Sequence, residues 1–184
     1  MDKHFRFSAI LLAISFSMLS FTTSISASER KINMNQHWKF YHGCIANAEQ
    51  PSFNDSGWRV LDIPHDWSVE PLPVQREGIT IGPFSRMSIG GPDTGQTVGG
   101  EGWYRKELIL QPGDTDKILS LYFEGAYNQT EVWINGQKAC FNAYGYIPFR
   151  IDINKYCNAP GIPNTIAVVS RFLDLPPCMV VKNR

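Results

Sequence analysis

A chain of 184 residues has room for one domain rather than two. Its 17 Lys and Arg balance 17 Asp and Glu, so no net field draws it to nucleic acid or to an anionic membrane. With 43% hydrophobic and 12% aromatic residues, it has the composition of a packed globular protein.

The first 28 residues read as a secretory signal peptide. Lys3 and Arg6 form a short basic start, the apolar run Phe7 to Phe21 follows, and small residues lead to a cleavage site after Ala27 or Ser28. An apolar run of about 15 residues falls short of the roughly 20 a membrane-spanning helix needs. The expected compartment is therefore periplasmic or extracellular. Export makes disulfides possible among Cys44, Cys140, Cys157 and Cys178, and four thiols allow three full pairings. A domain of this size buries enough apolar area without staples, so free, buried cysteines are the preferred expectation. Cysteine spacing matches no zinc pattern, and His37 and His42 lack a third ligand nearby, so no metal is expected.

Beyond residue 28 the chain reads as short strands broken by turns. Residues 74–102 hold eight glycines, with Pro83 and Pro92 among them, and read as a long loop of the kind that is either functional or disordered. It is not a phosphate loop, since no Gly-Lys-Ser/Thr is present. Trp103 to Leu110 predicts a strand that ends in the turn Gln111-Pro112-Gly113-Asp114. Leu119, Leu121 and Phe123 alternate with Ser120, Tyr122 and Glu124, the period of a strand with one buried face. Glu131-Val132-Trp133-Ile134 runs into Asn135-Gly136 and then Gln137-Lys138. Asn-Gly tolerates positive φ at both central positions, which signals a two-residue hairpin. Residues 149–154 alternate again, and Thr165 to Val169 supplies a further strand. No sustained helical period intervenes, so the expected fold is all-β, a jelly-roll β-sandwich.

Five segments carry a resemblance: Pro64-His65-Asp66-Trp67, Gly99-Gly100-Glu101-Gly102-Trp103-Tyr104-Arg105-Lys106, Phe123-Glu124-Gly125-Ala126-Tyr127, Glu131-Val132-Trp133-Ile134-Asn135-Gly136 and Tyr144-Gly145-Tyr146. In this order and spacing they resemble the N-terminal sugar-binding domain of family-2 glycoside hydrolases, bacterial β-galactosidases above all. The resemblance implies a galactose-binding-domain-like sandwich over residues 29–169. It also implies a carbohydrate partner, a β-galactoside-containing glycan met in the full enzyme, with no cofactor.

Sugar sites pair aromatic faces with a few hydrogen-bonding groups. Trp58, Trp67, Trp103, Trp133, Tyr104, Tyr127, Tyr144 and Tyr146 are the candidate stacking rings, although most such rings fill a core. Asp66 and Trp67 are the candidate substrate-binding residues. His65 and Asp66 invite a general-base pairing, but neighbours on a strand point to opposite faces, so a structural role is expected for that pair. Arg105 is expected to pair with a carboxylate. Asn54-Asp55-Ser56 and Asn128-Gln129-Thr130 fit the glycosylation sequon.

No carboxylate here is assigned as catalytic. The resemblance implies a retaining hydrolase, which needs two carboxyl groups about 5–5.5 Å apart. In that family they stand on a (β/α)₈ barrel downstream, itself about 250 residues long. Residues 170–184 match nothing recognisable, and the expectation is a truncation or, preferred, a frameshift. The alternatives to a glycosidase accessory domain are a free-standing carbohydrate-binding protein and a non-functional remnant.

Overall fold

The computed structural model describes residues 29–88 and 91–172, so the expected signal peptide, Cys178 and residues 173–184 lie outside it. Residues up to Ile32 and those from Asn33 onward are separate units, and the fold below belongs to the second. Its strands are β1 (Trp38–His42), β2 (Arg59–Leu61), β3 (Thr80–Ile81), β4 (Phe84–Ser85), β5 (Gly100–Ile109), β6 (Ser120–Phe123), β7 (Thr130–Ile134), β8 (Gln137–Asn142), β9 (Phe149–Asp152) and β10 (Pro163–Phe172). Short 3-10 turns join them, and no α-helix occurs among the described residues. The all-β jelly-roll expectation holds.

Six strands form one antiparallel sheet in the order β2-β1-β5-β10-β7-β8. One face meets the β6–β9 pair, whose Leu121, Phe123, Phe149 and Ile151 pack with Trp38, Phe40, Tyr104, Val132, Ile134, Ile166 and Val168. Period-2 alternation sends the intervening residues to the other face. There Trp103, Trp133, Ala167 and Val169 meet Ile45, Ala48, Phe53 and Trp58 from the segment between β1 and β2. Both faces are therefore covered. Val132, Ile134, Ile166 and Val169 are fully buried, each stabilising the fold by about 1.5–3 kcal/mol relative to exposure.

That second layer is tied down by Arg105. Its guanidinium donates to Asp55 at 2.9 Å, to the Ala48 carbonyl, and to the Gln50 carbonyl at 3.1 Å. Lys39 reaches the other Asp55 oxygen at 2.5 Å. The expected carboxylate partner of Arg105 is thus Asp55. Burial works against the Asp55 charge, but the hydrogen bonds from Lys39 and Arg105 outweigh it and hold the carboxyl below its ordinary pKa.

The Asn135-Gly136 turn forms as expected, with φ of 50° and 78°. The Asn135 amide also reaches the Asn164 side chain at 2.8 Å and the Tyr156 carbonyl at 2.9 Å, while its oxygen accepts from the Thr165 N–H at 2.9 Å. Several elements differ from expectation. The strand expected over 165–169 runs from Pro163 to Phe172, because all ten residues pair with β5. The stretch 74–102 is not structureless: it contains the β3–β4 hairpin, and Ser85 N–H bonds the Gln96 carbonyl at 2.8 Å. The cysteine expectation is corrected at Cys44, which is disulfide-bonded, whereas Cys140 and Cys157 are free and half-buried.

Candidate functional site

The Pro64-His65-Asp66-Trp67 segment leaves β2 and enters a 3-10 turn over Trp67–Val69. Asp66 caps that turn from an extended backbone. Its Oδ1 accepts from the Ser68 N–H at 2.8 Å and the Ser68 hydroxyl at 2.7 Å. The Asp66 side chain stays exposed. Trp67 turns the other way. Its indole is buried, stacks on Phe40 with centroids 6.1 Å apart, and lies 5.8 Å from the His42 ring. It rests directly on the Gly102 backbone, and no hydrogen-bond partner meets its N–H. Of the two residues expected to bind substrate, Asp66 faces solvent and Trp67 lies beneath it in the core.

His65 also has a carboxylate partner, but it is not Asp66. The Tyr104 hydroxyl lies 2.9 Å from His65 Nδ1, and Glu70 Oε1 lies 3.0 Å from Nε2. The arrangement fits a Tyr104 hydroxyl donating to Nδ1 and an Nε2–H donating to Glu70, a tautomer assigned from the network. Arg59 donates to the same Glu70 oxygen at 2.7 Å. Burial first, then the nearby charges of Asp66 and Glu70, push the Tyr104 hydroxyl far above its ordinary pKa, so it stays a neutral donor. Burial opposes the Glu70 charge, yet the hydrogen bonds from Arg59 and His65 lower its pKa overall. Glu70 and Arg59 carry no sequence signal, because the 3-10 turn alone folds Glu70 back toward His65.

The candidate stacking rings divide sharply. Trp103 and Trp133 sit in the covered layer beside Trp58, and Tyr104 and Trp67 belong to the main core. Only three are well exposed: Tyr127 at 42%, Tyr144 at 58% and Tyr146 at 72%. They come from two loops, before β7 and after β8. Tyr127 meets Tyr146 edge-to-face at 5.7 Å, Tyr146 meets Tyr144 at 5.7 Å, and Tyr127 meets Phe172 at 5.4 Å.

These loops are held closely together. A Cβ at residue 145 would lie 2.6 Å from the Asn128 nitrogen and 2.8 Å from Tyr127 Cα, so only glycine allows the contact. Asn128 and Gln129 both take left-handed backbone, with φ of 34° and 46°, a strained conformation for two successive non-glycine residues. The Ser170 hydroxyl donates to the Tyr127 carbonyl, and Arg171 N–H donates to the Asn128 carbonyl at 3.2 Å. Burial first, then the neighbouring Tyr146 and the negative charge of Asp66, raise the Tyr127 pKa. The Asp66 turn and the tyrosine loops belong to the same end of the sheet: Trp67 rests on Gly102, Gly102 pairs with Ser170, and the Ser170 hydroxyl holds the Tyr127 carbonyl.

Asp66 and the three tyrosines are exposed on the surface. Two clefts, of about 410 and 440 Å³, lie elsewhere, between β8 and β9 and around Asn33–Gln36, and neither is lined by Asp66 or the tyrosines. Among the described residues no group of three His, Cys, Asp or Glu side chains is placed to hold a metal ion.

Comparison with known proteins gives this surface its context. The family model described as glycosyl hydrolases family 2, sugar binding domain, matches residues 33–184. The chain belongs to this family. Its sugar-binding domain is 37% identical over 147 residues to the β-galactosidase BoGH2A of Bacteroides ovatus, covering 80% of this chain and 16% of that protein. It is 30% identical over 149 residues to a β-glucuronidase of Formosa agariphila, covering 80% of this chain and 14% of the relative. Among solved structures, a glycosyl hydrolase family 2 member from Bacteroides cellulosilyticus superposes with a TM-score of 0.68 at 36% identity, covering 78% of this chain and 18% of that one. A β-glycosidase from Bacteroides vulgatus gives 0.61 at 37% identity, with 77% and 17% covered. The chain spans less than a fifth of each of these relatives.

Proposed function

We infer that this chain supplies the sugar-binding wall of an exported β-galactosidase-type glycosidase, with the hydrolysis of the glycosidic bond carried by further sequence of the kind its longer relatives possess. The observation that carries this reading is an exposed Asp66 carboxylate and exposed tyrosine rings at one end of the sheet of a family-2 sugar-binding domain. A carboxylate accepts hydrogen bonds from sugar hydroxyls, and a ring face covers pyranose C–H groups. Trp67 would act from below, as the rigid base that sets the direction of Asp66.

Named relatives include both β-galactosidases and β-glucuronidases. Asp66 favours the neutral sugar, because a uronate beside a carboxylate is repelled, by about 1 kcal/mol at contact distance in water. Weak binding is expected of an exposed surface, since tight small-ligand sites enclose most of the ligand.

A pull-down on immobilised lactose and on an immobilised glucuronide tests the substrate class. Retention on lactose that Asp66→Asn reduces is expected; preferential retention on the glucuronide would overturn the galactoside reading. Micromolar affinity would instead favour a free-standing lectin. Export is tested by N-terminal sequencing of protein recovered outside the cytoplasm. A start near Ser28 or Glu29 is expected, and an intact Met1 would refute it.

A further inference from the structure

We propose that Tyr127, Tyr144 and Tyr146 form a preorganised stacking platform for the apolar face of a neutral pyranose, at the end of the sheet that also carries Asp66. This rests on the sugar-binding reading above and names the residues that make the contact.

Four observations support it. The three rings are the well-exposed members of an aromatic set whose other members are buried or packed into the covered layer, so they are not spent on the core. Their mutual edge-to-face geometry, with neighbouring centroids 5.7 Å apart, leaves ring surface toward solvent in more than one direction. The loops that carry them are fixed by the Gly145 contact, by Ser170 and Arg171 of β10, and by Thr130, whose hydroxyl reaches the Ala126 and Tyr127 carbonyls at 3.3 and 3.2 Å. Strained Asn128 and Gln129 sit at the same place, and strain of this kind persists where surrounding structure holds it for a purpose.

The chemistry selects the occupant. Tyrosine offers an apolar ring with a hydroxyl at its edge, which suits a sugar with one C–H face and a rim of hydroxyl groups. Asp66, exposed at the same end of the sheet, adds an acceptor and disfavours an anionic saccharide. A protein-docking patch would need the same exposure but not the acceptor.

The test follows the tyrosine ring signals of the full chain by NMR during titration with galactose, lactose and glucuronic acid. Galactose and lactose are expected to shift the Tyr127, Tyr144 and Tyr146 signals, with half-saturation in the millimolar range, and glucuronic acid to shift them less. Tyr144→Ala and Tyr146→Ala should each weaken binding about tenfold with the melting temperature unchanged, because both side chains are exposed. Tyr146→Phe should keep most of the affinity, since the stacking face survives. Undiminished sugar binding in both alanine variants, with loss in Asp66→Asn, would overturn the platform and leave the sugar-binding reading standing. No response to either neutral sugar at about 100 mM would also overturn it, leaving the family assignment intact. Tyrosine signals that move on dilution instead, as copies of the chain dissociate, would make the patch a protein-docking surface and end the proposal.

Discussion

Trp67 lies flat against the backbone of Gly102: a methyl group at position 102 would sit 2.4 Å from the indole Cζ3 and 2.7 Å from Cε3. The turn that presents Asp66 is therefore seated on β5 through a contact that only glycine permits. Gly102→Ala should force the indole away and destabilise the fold by about 1–3 kcal/mol. Thermal unfolding followed by tryptophan fluorescence measures this, with Gly57→Ala as the control because nothing lies within 4 Å of a Cβ there. Equal melting temperatures for the two variants would show that the indole has room to move.

Gly136→Val should be destabilising for a different reason. A β-branched residue would be forced to φ of 78°, and its Cβ would meet the Gln50 side-chain oxygen at 2.9 Å. A loss of about 1–3 kcal/mol is expected, read from the urea midpoint. A midpoint that does not move would mean that the turn relaxes freely.

The Asp55–Arg105 pair predicts a pH dependence with a defined sign. The folded-state pKa of Asp55 lies below the ordinary 3.8, so its stabilising contribution is present above that value and disappears as pH falls through the folded pKa. Asp55→Asn removes the partner of a guanidinium whose side chain is 4% exposed, and about 3 kcal/mol should be lost near neutrality. The gap in melting temperature between native and variant chains should be full at pH 6 and narrow below about pH 4. A gap that is constant from pH 7 to pH 3 would assign the loss to packing alone.

The sequence-pattern reading found β5 to β10 because each has a local signal: alternation in β6 and β9, and a positive-φ turn between β7 and β8. It missed β1 and β2, and the β3–β4 hairpin inside the glycine-rich stretch. Trp38 and Phe40 alternate with Lys39 and Tyr41, and a strand with large residues on both faces gives a blurred period-2 pattern. The same double coverage explains why Trp103 and Tyr146 look alike in sequence. Which ring is buried depends on the 43–58 segment folding across the sheet, a contact fixed by Asp55 and Arg105 at a separation of 50 residues. The motif marks Asp66 as a candidate, whereas its setting is not legible in the sequence. Glu70 reaches His65 through a 3-10 turn, and the tyrosine loops meet through Gly145, a close approach that only coordinates reveal.

The purified chain, residues 28–184, should not hydrolyse a chromogenic β-galactoside above background. Retaining hydrolysis needs two carboxyl groups about 5–5.5 Å apart on a rigid frame, and the barrel that provides them in this family is longer than the whole chain. Release of chromophore that survives removal of contaminating host enzyme would disprove this.

The position of β10 has a consequence for how the protein is made. The last strand among the described residues lies inside the sheet, paired over all ten residues to β5 on one side and over Ile166–Val169 to β7 on the other. During synthesis β5 and β7 emerge first, paired to β1 and β8 but each with its other edge open, and the Asn135 side chain waits for Asn164 and Thr165. Until residues 163–172 leave the ribosome, the two halves of the sheet have nothing between them and are free to pair wrongly with each other or with other chains. The closing strand thus acts as a keystone, and the nascent chain is most vulnerable to aggregation just before it arrives.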